Sequence, residues 1–350
     1  MATPQRNIIK MLQEIQSGKA RSFRRLPIGG QLIVLRESCL ERLEAEHERL
    51  QQFSRLILDA RANKCVNLHF FHYAILDSRC TINNSVLYAT HQAGLFSCWT
   101  TILWSILEIQ QLGLRLPERI SNRFGMDHFK NHLTSDTINQ WFELPSEAAI
   151  TKLSQQHPVG KLLKAPNIFD HHGNYETIVK QQLGPAWIQA FLRAYMNPSS
   201  RLQQAIEHFE QRYRINSLRT LVVCYRGTDK GSEVEQDSVS SYLKTAQQLT
   251  DQGGFDQVLI QTDQQQVQAL FAKTFAPRCV FIDELPVTQG TTVLHAQLAG
   301  TIDVEDWALN LMAMVYACSR ASTVITHTGN LGFFLAVMAH LHNATVIQLR

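Results

Sequence analysis

The segment LVVCYRGTDKGSE, residues 221–233, runs from an apolar stretch straight into an arginine, a glycine and an Asp-Lys pair. A guanidinium at the mouth of a buried strand is a permanent charge carrying a planar fork of donors, a shape suited to phosphate oxygens. Gly227 frees the backbone beside Arg226, and Asp229 and Lys230 add one charge of each sign. A second group, Thr326, Thr328, Gly329 and Asn330, falls between an apolar run and a helix starting near Leu331. There a glycine lets backbone amides approach an anion at the positive end of a helix, while hydroxyl and carboxamide groups supply neutral donors. Together the two segments predict a site that holds a diphosphate and stabilises it as a leaving group by fixed electrostatics, without a metal. The bland alternative for Arg226 is a turn-capping pair with Asp229, and Thr-Gly-Asn is also ordinary turn chemistry. Asp263 either accepts from a ribose or base or caps the helix that follows it.

Such residues need strands and helices to hold them. From Ser217 onward short apolar strands alternate with helices: LRTLVVCYRG, QVLIQTD, CVFIDE, STVITHTGN and ATVIQLR are the strands. Continuous apolar strands separated by helices predict a parallel, doubly wound sheet, in which ligands sit at the carboxyl ends of the strands. Arg226–Lys230, Thr262–Asp263 and Thr326–Asn330 all fall at such ends. Upstream, NNSVLYAT followed by HQAGLFSCWTTILWSILEIQQLG reads as a strand, a turn at Gly94 and a long apolar helix, the opening of a βαβ unit. CVNLHFFHYAIL is a further strand, 37–62 a helix, 114–175 irregular, and 176–214 helical with a break at Asn197-Pro198. The expected division is an N-terminal helical segment (1–62), an acceptor-side domain (63–214) and a nucleotide-binding domain (215–350).

Composition excludes several classes. At 350 residues the chain suits two domains, and with 45% hydrophobic and 18% charged residues it is globular. A net charge of +3 gives no nucleic-acid footprint. The basic residues Arg6, Lys10, Lys19, Arg21, Arg24 and Arg25 precede no apolar h-region and so make no signal peptide; they read as a solvated amphipathic helix or arm rather than a membrane-surface segment. No stretch approaches the roughly 20 apolar residues that span a bilayer. The seven cysteines lack metal-ligand spacing and lie largely in apolar runs, which predicts free thiols and a cytoplasmic protein.

The segment VVCYRGTDKGSE resembles the HxRxxD motif of the α1,6-fucosyltransferase, nodulation fucosyltransferase and protein O-fucosyltransferase group. VLIQTDQQQVQALF and ASTVITHTGNLGFFLAV follow in that group's order, and VLYATHQAGLFSCWTTILWSI is similar to its N-terminal glycine turn. The resemblance covers 215–350 best and 85–110 more weakly. It implies a GT-B architecture, two Rossmann-like domains facing a cleft, with a nucleotide-sugar held mainly by the C-terminal one. It further implies that Arg226 grips the donor pyrophosphate, that the turn at Thr328–Asn330 contacts phosphate or ribose, and that transfer inverts the anomeric centre without a metal. GDP-fucose is the implied donor, and a glycan or other hydroxyl compound the acceptor. The chain departs from the group at Cys224, where a histidine is common, and at Gly227, where the α1,6 enzymes carry a second arginine. A non-catalytic nucleotide- or sugar-binding module on the same fold is the alternative. The sequence ends directly after a predicted strand, where chains of this fold often add a helix that crosses back.

An inverting transfer needs a base for the acceptor hydroxyl. His91, three residues before Gly94, is the best-placed candidate, and its other reading is a hydrogen-bonded turn histidine. Asp127 and Glu143 are weaker candidates, and His295, in the loop before Asp306, is a possible contact to base or ribose. Asp170, His171 and His172 read as a loop, since adjacent histidines do not easily face one ion, and His69 and His72 make no site. Trp99, Trp104 and Trp187 read as core, whereas Trp141 and Trp307 suit either core or a sugar platform.

Overall fold

A computed structural model describes residues 80–349 except 84–85, 90, 92, 112–115, 124, 133–134, 161–172, 216–218, 228–236 and 290–301. Upstream it describes only a small antiparallel hairpin, β1 (Leu26–Ile28) with β2 (Gln31–Ile33). The helix expected over 37–62 and the strand expected over 65–76 lie outside the described residues.

The expected strand, turn and helix near Gly94 form, and a third element completes them. Strand β3 (Cys80–Asn83) pairs antiparallel with β4 (Val86–Ala89), which leads through the turn into helix α1 (Leu95–Gln111). The chain returns as β5 (Arg119–Ser121), parallel to β4, and closes a βαβ unit. The stretch expected to be irregular is more ordered than its prolines suggested. It contains β5, the single turn α2 (Ile138–Trp141) and α3 (Glu147–Gln155), whose N-cap Ser146 accepts from the Ala149 amide. Helix α4 (Tyr175–Thr177) runs on as a π-helical stretch over Ile178–Leu183. Helices α5 (Pro185–Tyr195) and α6 (Ser200–Arg212) follow, parted as expected around Asn197-Pro198.

The C-terminal alternation is as the apolar pattern predicts. β6 (Thr220–Tyr225), α7 (Val239–Asp251), β7 (Gln257–Thr262), α8 (Gln265–Phe275) and β8 (Cys279–Phe281) come first. Then come α9 (Val304–Cys318), β9 (Thr323–His327), α10 (Asn330–Leu341) and β10 (Thr345–Leu349). The five strands make one wholly parallel sheet in the order β10-β9-β6-β7-β8. The chain order reverses between β6 and β9, which opens a crevice at the carboxyl ends of those two strands.

Strand alternation sorts the core. Leu221, Val223, Tyr225, Val258 and Ile260 pack with residues of α7 and α8. Val222, Cys224, Leu259 and Val324 join the larger cluster, which runs through α9, α10, α1 and α5. Helix α10 is apolar all round, NLGFFLAVMAHL, and is accordingly enclosed by the sheet on one side and by α1, α4, α5 and α9 on the others. Cys98, Cys224 and Cys318 are buried as free thiols, and burial pushes Cys98 and Cys318 up to about 12. Among the described residues no helix is long and apolar enough to cross a membrane.

Candidate functional site

A pocket opens at the switch point of the parallel sheet. Its polar residues are Arg226 just past β6, Gln261 and Asp263 at the end of β7, and His327 at the end of β9. Gly94 and Leu95, at the start of α1, close it from the N-terminal half. Phe129, Trp307, Leu311, Leu285, Pro286 and Leu331 supply the apolar wall. A partly apolar cleft with a few convergent polar groups is the usual form of a small-molecule site.

Arg226 stands where the sequence predicts, at the mouth of a fully buried strand, with its side chain 30% exposed. Its Nε lies 3.8 Å from Asp263 Oδ2, and the Gly227 amide donates to Asp263 Oδ1 at 3.0 Å. Asp263 therefore braces the arginine turn, and the residue heading α8 is Gln264, which makes no side-chain cap bond. A side chain at Gly227 meets resistance, since a Cβ there falls 2.3 Å from Gln264 Oε1 and 2.8 Å from the Tyr225 ring. A second arginine there has to displace the ends of those two side chains.

The turn after β9 is built differently from the expectation. Thr326 is fully buried, and the Thr328 amide and hydroxyl both donate to the Leu349 carbonyl, at 2.9 and 3.2 Å. Neither residue lines the pocket. Gly329 has φ 153° and ψ 171°, a backbone region essentially restricted to glycine. Its amide donates to the Tyr175 hydroxyl at 2.6 Å, and that hydroxyl donates back to the Gly329 carbonyl at 2.8 Å. Tyr175 is fully buried, and burial pushes its phenol well above the ordinary tyrosine value. Asn330 heads α10, and Leu331 brings the first turn of that helix to the pocket.

His91 lies on the turn before α1, its Nε2 3.1 Å from Ser97 Oγ, while its carbonyl accepts from the Met126 amide at 3.1 Å. It is adjacent to the pocket in sequence but not among the residues that line it. Asp127 pairs with the buried Lys130 ammonium at 3.2 Å, and Glu143 accepts from the Asn197 side chain, so both are held in the N-terminal half. Asp229, Lys230, His295, His171 and His172 lie outside the described residues. Trp99, Trp141 and Trp187 are core, whereas Trp307 faces the pocket and packs on Phe129 with ring centroids 5.6 Å apart.

Gln261, His327 and Tyr175 were not singled out from the sequence. The first two sit inside apolar runs whose end residues were the only ones read as polar. His327 is buried, with Nδ1 donating to the Thr328 carbonyl at 3.1 Å. No signal in the sequence marks Tyr175, whose partner is 154 residues away. Among the described residues no three His, Cys, Asp or Glu side chains gather in a group that can hold a metal ion.

No protein-family model matches the chain, and no curated protein does. Among solved structures, NodZ α-1,6-fucosyltransferase co-crystallised with GDP is similar over 72% of this chain and 91% of its own, at 13% identity and a TM-score of 0.45. Fucosyltransferase NodZ from Bradyrhizobium is similar over 72% and 92%, at 14% identity and a TM-score of 0.44. NodZ soaked with GDP-fucose is similar over 72% and 91%, at 14% identity and a TM-score of 0.43.

Proposed function

We propose that the protein is a glycosyltransferase of fucosyltransferase-like kind, moving a sugar from a nucleoside diphosphate sugar to a hydroxyl acceptor with inversion. The observation that carries this reading is the placement of Arg226, a partly buried cation at the sheet's switch point, facing the Gly94 turn across the pocket. The acceptor oxygen attacks the anomeric carbon, the bond from that carbon to the diphosphate breaks, and the charge arriving on the diphosphate is met by the guanidinium. In a partly enclosed site this charge is worth more than in water, which is why no metal is required in this scheme. The resemblance of VVCYRGTDKGSE points to GDP-fucose as the first donor to try. His91 is the proposed base, on the acceptor side at the Gly94 turn, with Ser97 orienting its ring.

A specific observation favours the second reading, a binding module without transfer. The Gly329 amide and the Thr328 hydroxyl, proposed as anion donors, are already engaged by Tyr175 and Leu349. Calorimetry with GDP and a radiolabelled GDP-fucose transfer assay, each with and without EDTA, separate the two. Arg226→Ala is expected to weaken GDP binding at least tenfold and abolish transfer, and His91→Ala to lower kcat with GDP affinity unchanged. Wild-type transfer by Arg226→Ala would remove the centre of the proposal, and GDP binding with no turnover of GDP-fucose would favour the module.

A further inference from the structure

Cys224 and Gln261 are direct partners across the parallel ladder of β6 and β7. The Cys224 thiol is completely buried and donates to Gln261 Oε1 at 2.8 Å. Burial, with Cys318 and Asp263 nearby, pushes this thiol well above its ordinary value, so it remains an S–H donor through the neutral range. A carboxamide has two chemically different ends. With Oε1 held from below by the thiol, the Nε2 amino group is the end left for the pocket that Gln261 lines beside Arg226. The Asp263 carboxylate is committed to the Gly227 amide and to Arg226, which leaves Gln261 as a neutral reader next to the cation.

Building on the donor-site reading above, we propose that Gln261 is a specificity-determining residue. Its Nε2 donates to an uncharged acceptor oxygen of the donor molecule outside the diphosphate, and Cys224 is the positioning residue that fixes which end of the carboxamide faces out. A buried amide donor discriminates against ligands that leave it without a partner, because the penalty falls on the unmade bond. The departure at Cys224 thus belongs to a two-residue device: the thiol does not touch the ligand but aims the group that does.

The test is calorimetric binding of pyrophosphate, GDP, UDP, ADP, CDP and GDP-fucose to the full chain and to Gln261→Leu, Gln261→Glu, Cys224→Ala and Cys224→Ser, with melting temperatures confirming that each folds. Gln261→Leu is expected to weaken the preferred nucleoside diphosphate about tenfold while pyrophosphate affinity stays within about twofold. Gln261→Glu, which replaces the amino group with oxygen and adds a negative charge beside Arg226, weakens pyrophosphate and nucleotides alike, so the discrimination is judged on Gln261→Leu. Cys224→Ala shows a smaller loss in the direction of Gln261→Leu, and Cys224→Ser, whose hydroxyl still donates to Oε1, restores it. A loss confined to GDP-fucose relative to GDP assigns the oxygen to the sugar rather than the nucleoside. Equal losses for pyrophosphate and nucleotides in Gln261→Leu, or no loss for any of them, overturn the role of Gln261. A wild-type chain that binds none of the six ligands overturns the donor site itself.

Discussion

At the scale of single residues, the candidate site depends on close approaches that leave no room for larger side chains. Gly332 is the sharpest case: a Cβ there falls 2.0 Å from the His327 carbonyl oxygen and 2.9 Å from Thr326 Oγ1. The first turn of α10 lies directly on the end of β9 because residue 332 has no side chain. Gly332→Ala must push the helix off the strand that carries His327, and overpacking of this kind costs on the order of 3 kcal/mol. Urea unfolding checks the size, and GDP affinity is expected to fall with it, since Leu331 moves with the turn. A variant as stable as wild type would mean that the contact relaxes freely. Arg226 was legible in the sequence because an arginine ending a buried strand is rare without a purpose. Gln261 was not, because a glutamine inside a strand gives no hint of which neighbour it meets.

Between elements, the N-terminus of α9 shows how the two halves are joined at the pocket rim. Asp303 caps α9 by accepting from the Glu305 and Asp306 amides, both at 3.0 Å, and also accepts from the Asn131 side chain at 3.1 Å. Glu305 accepts from the Asn131 amide at 2.9 Å, and Arg201 pairs with Asp306 at 2.6 Å. The Asp306 amide, then the Asn131 side chain, hold the Asp303 carboxyl below the usual aspartate range. A carboxylate with a depressed folded value adds stability above its unfolded pKa of about 4, and that stability is lost as pH falls through the lower folded value. Asp303→Ala is therefore expected to cost about 1 kcal/mol at neutral pH. Asp303→Asn, which keeps the cap but not the charge, should chiefly flatten the loss of stability as pH falls below about 4. Thermal melts across that range test both, and an unchanged acid profile in Asp303→Asn would contradict the assignment. The partner of Asp303, Asn131, in a proline-punctuated stretch without periodicity, was not legible in the sequence.

For the molecule as a whole, one apolar cluster runs from Leu87 in β4 to Ala344 before β10, so the halves share a core as well as a pocket. Phe96 of α1 meets Phe334 of α10 with ring centroids 5.7 Å apart, and Phe334 is fully buried. Phe334→Ala is expected to cost about 3–5 kcal/mol and to lower the midpoint of both halves together. Tryptophan fluorescence, weighted to Trp99, Trp104, Trp141 and Trp187, and far-ultraviolet dichroism should shift in step; transitions that separate would mean that the halves unfold independently. The parallel sheet was readable because each of its strands is a short apolar run between helices. The way the halves interlock was not, because contacts over such separations leave no local pattern. Tyr175 makes the point most plainly. The geometry of the Gly329 turn is set by a phenol that enters from α4, ahead of the sheet's first strand. A chimera that exchanges only the segment from 215 onward would inherit the glycine without its keystone. Transplanting this turn to another chain means carrying residue 175 along with it.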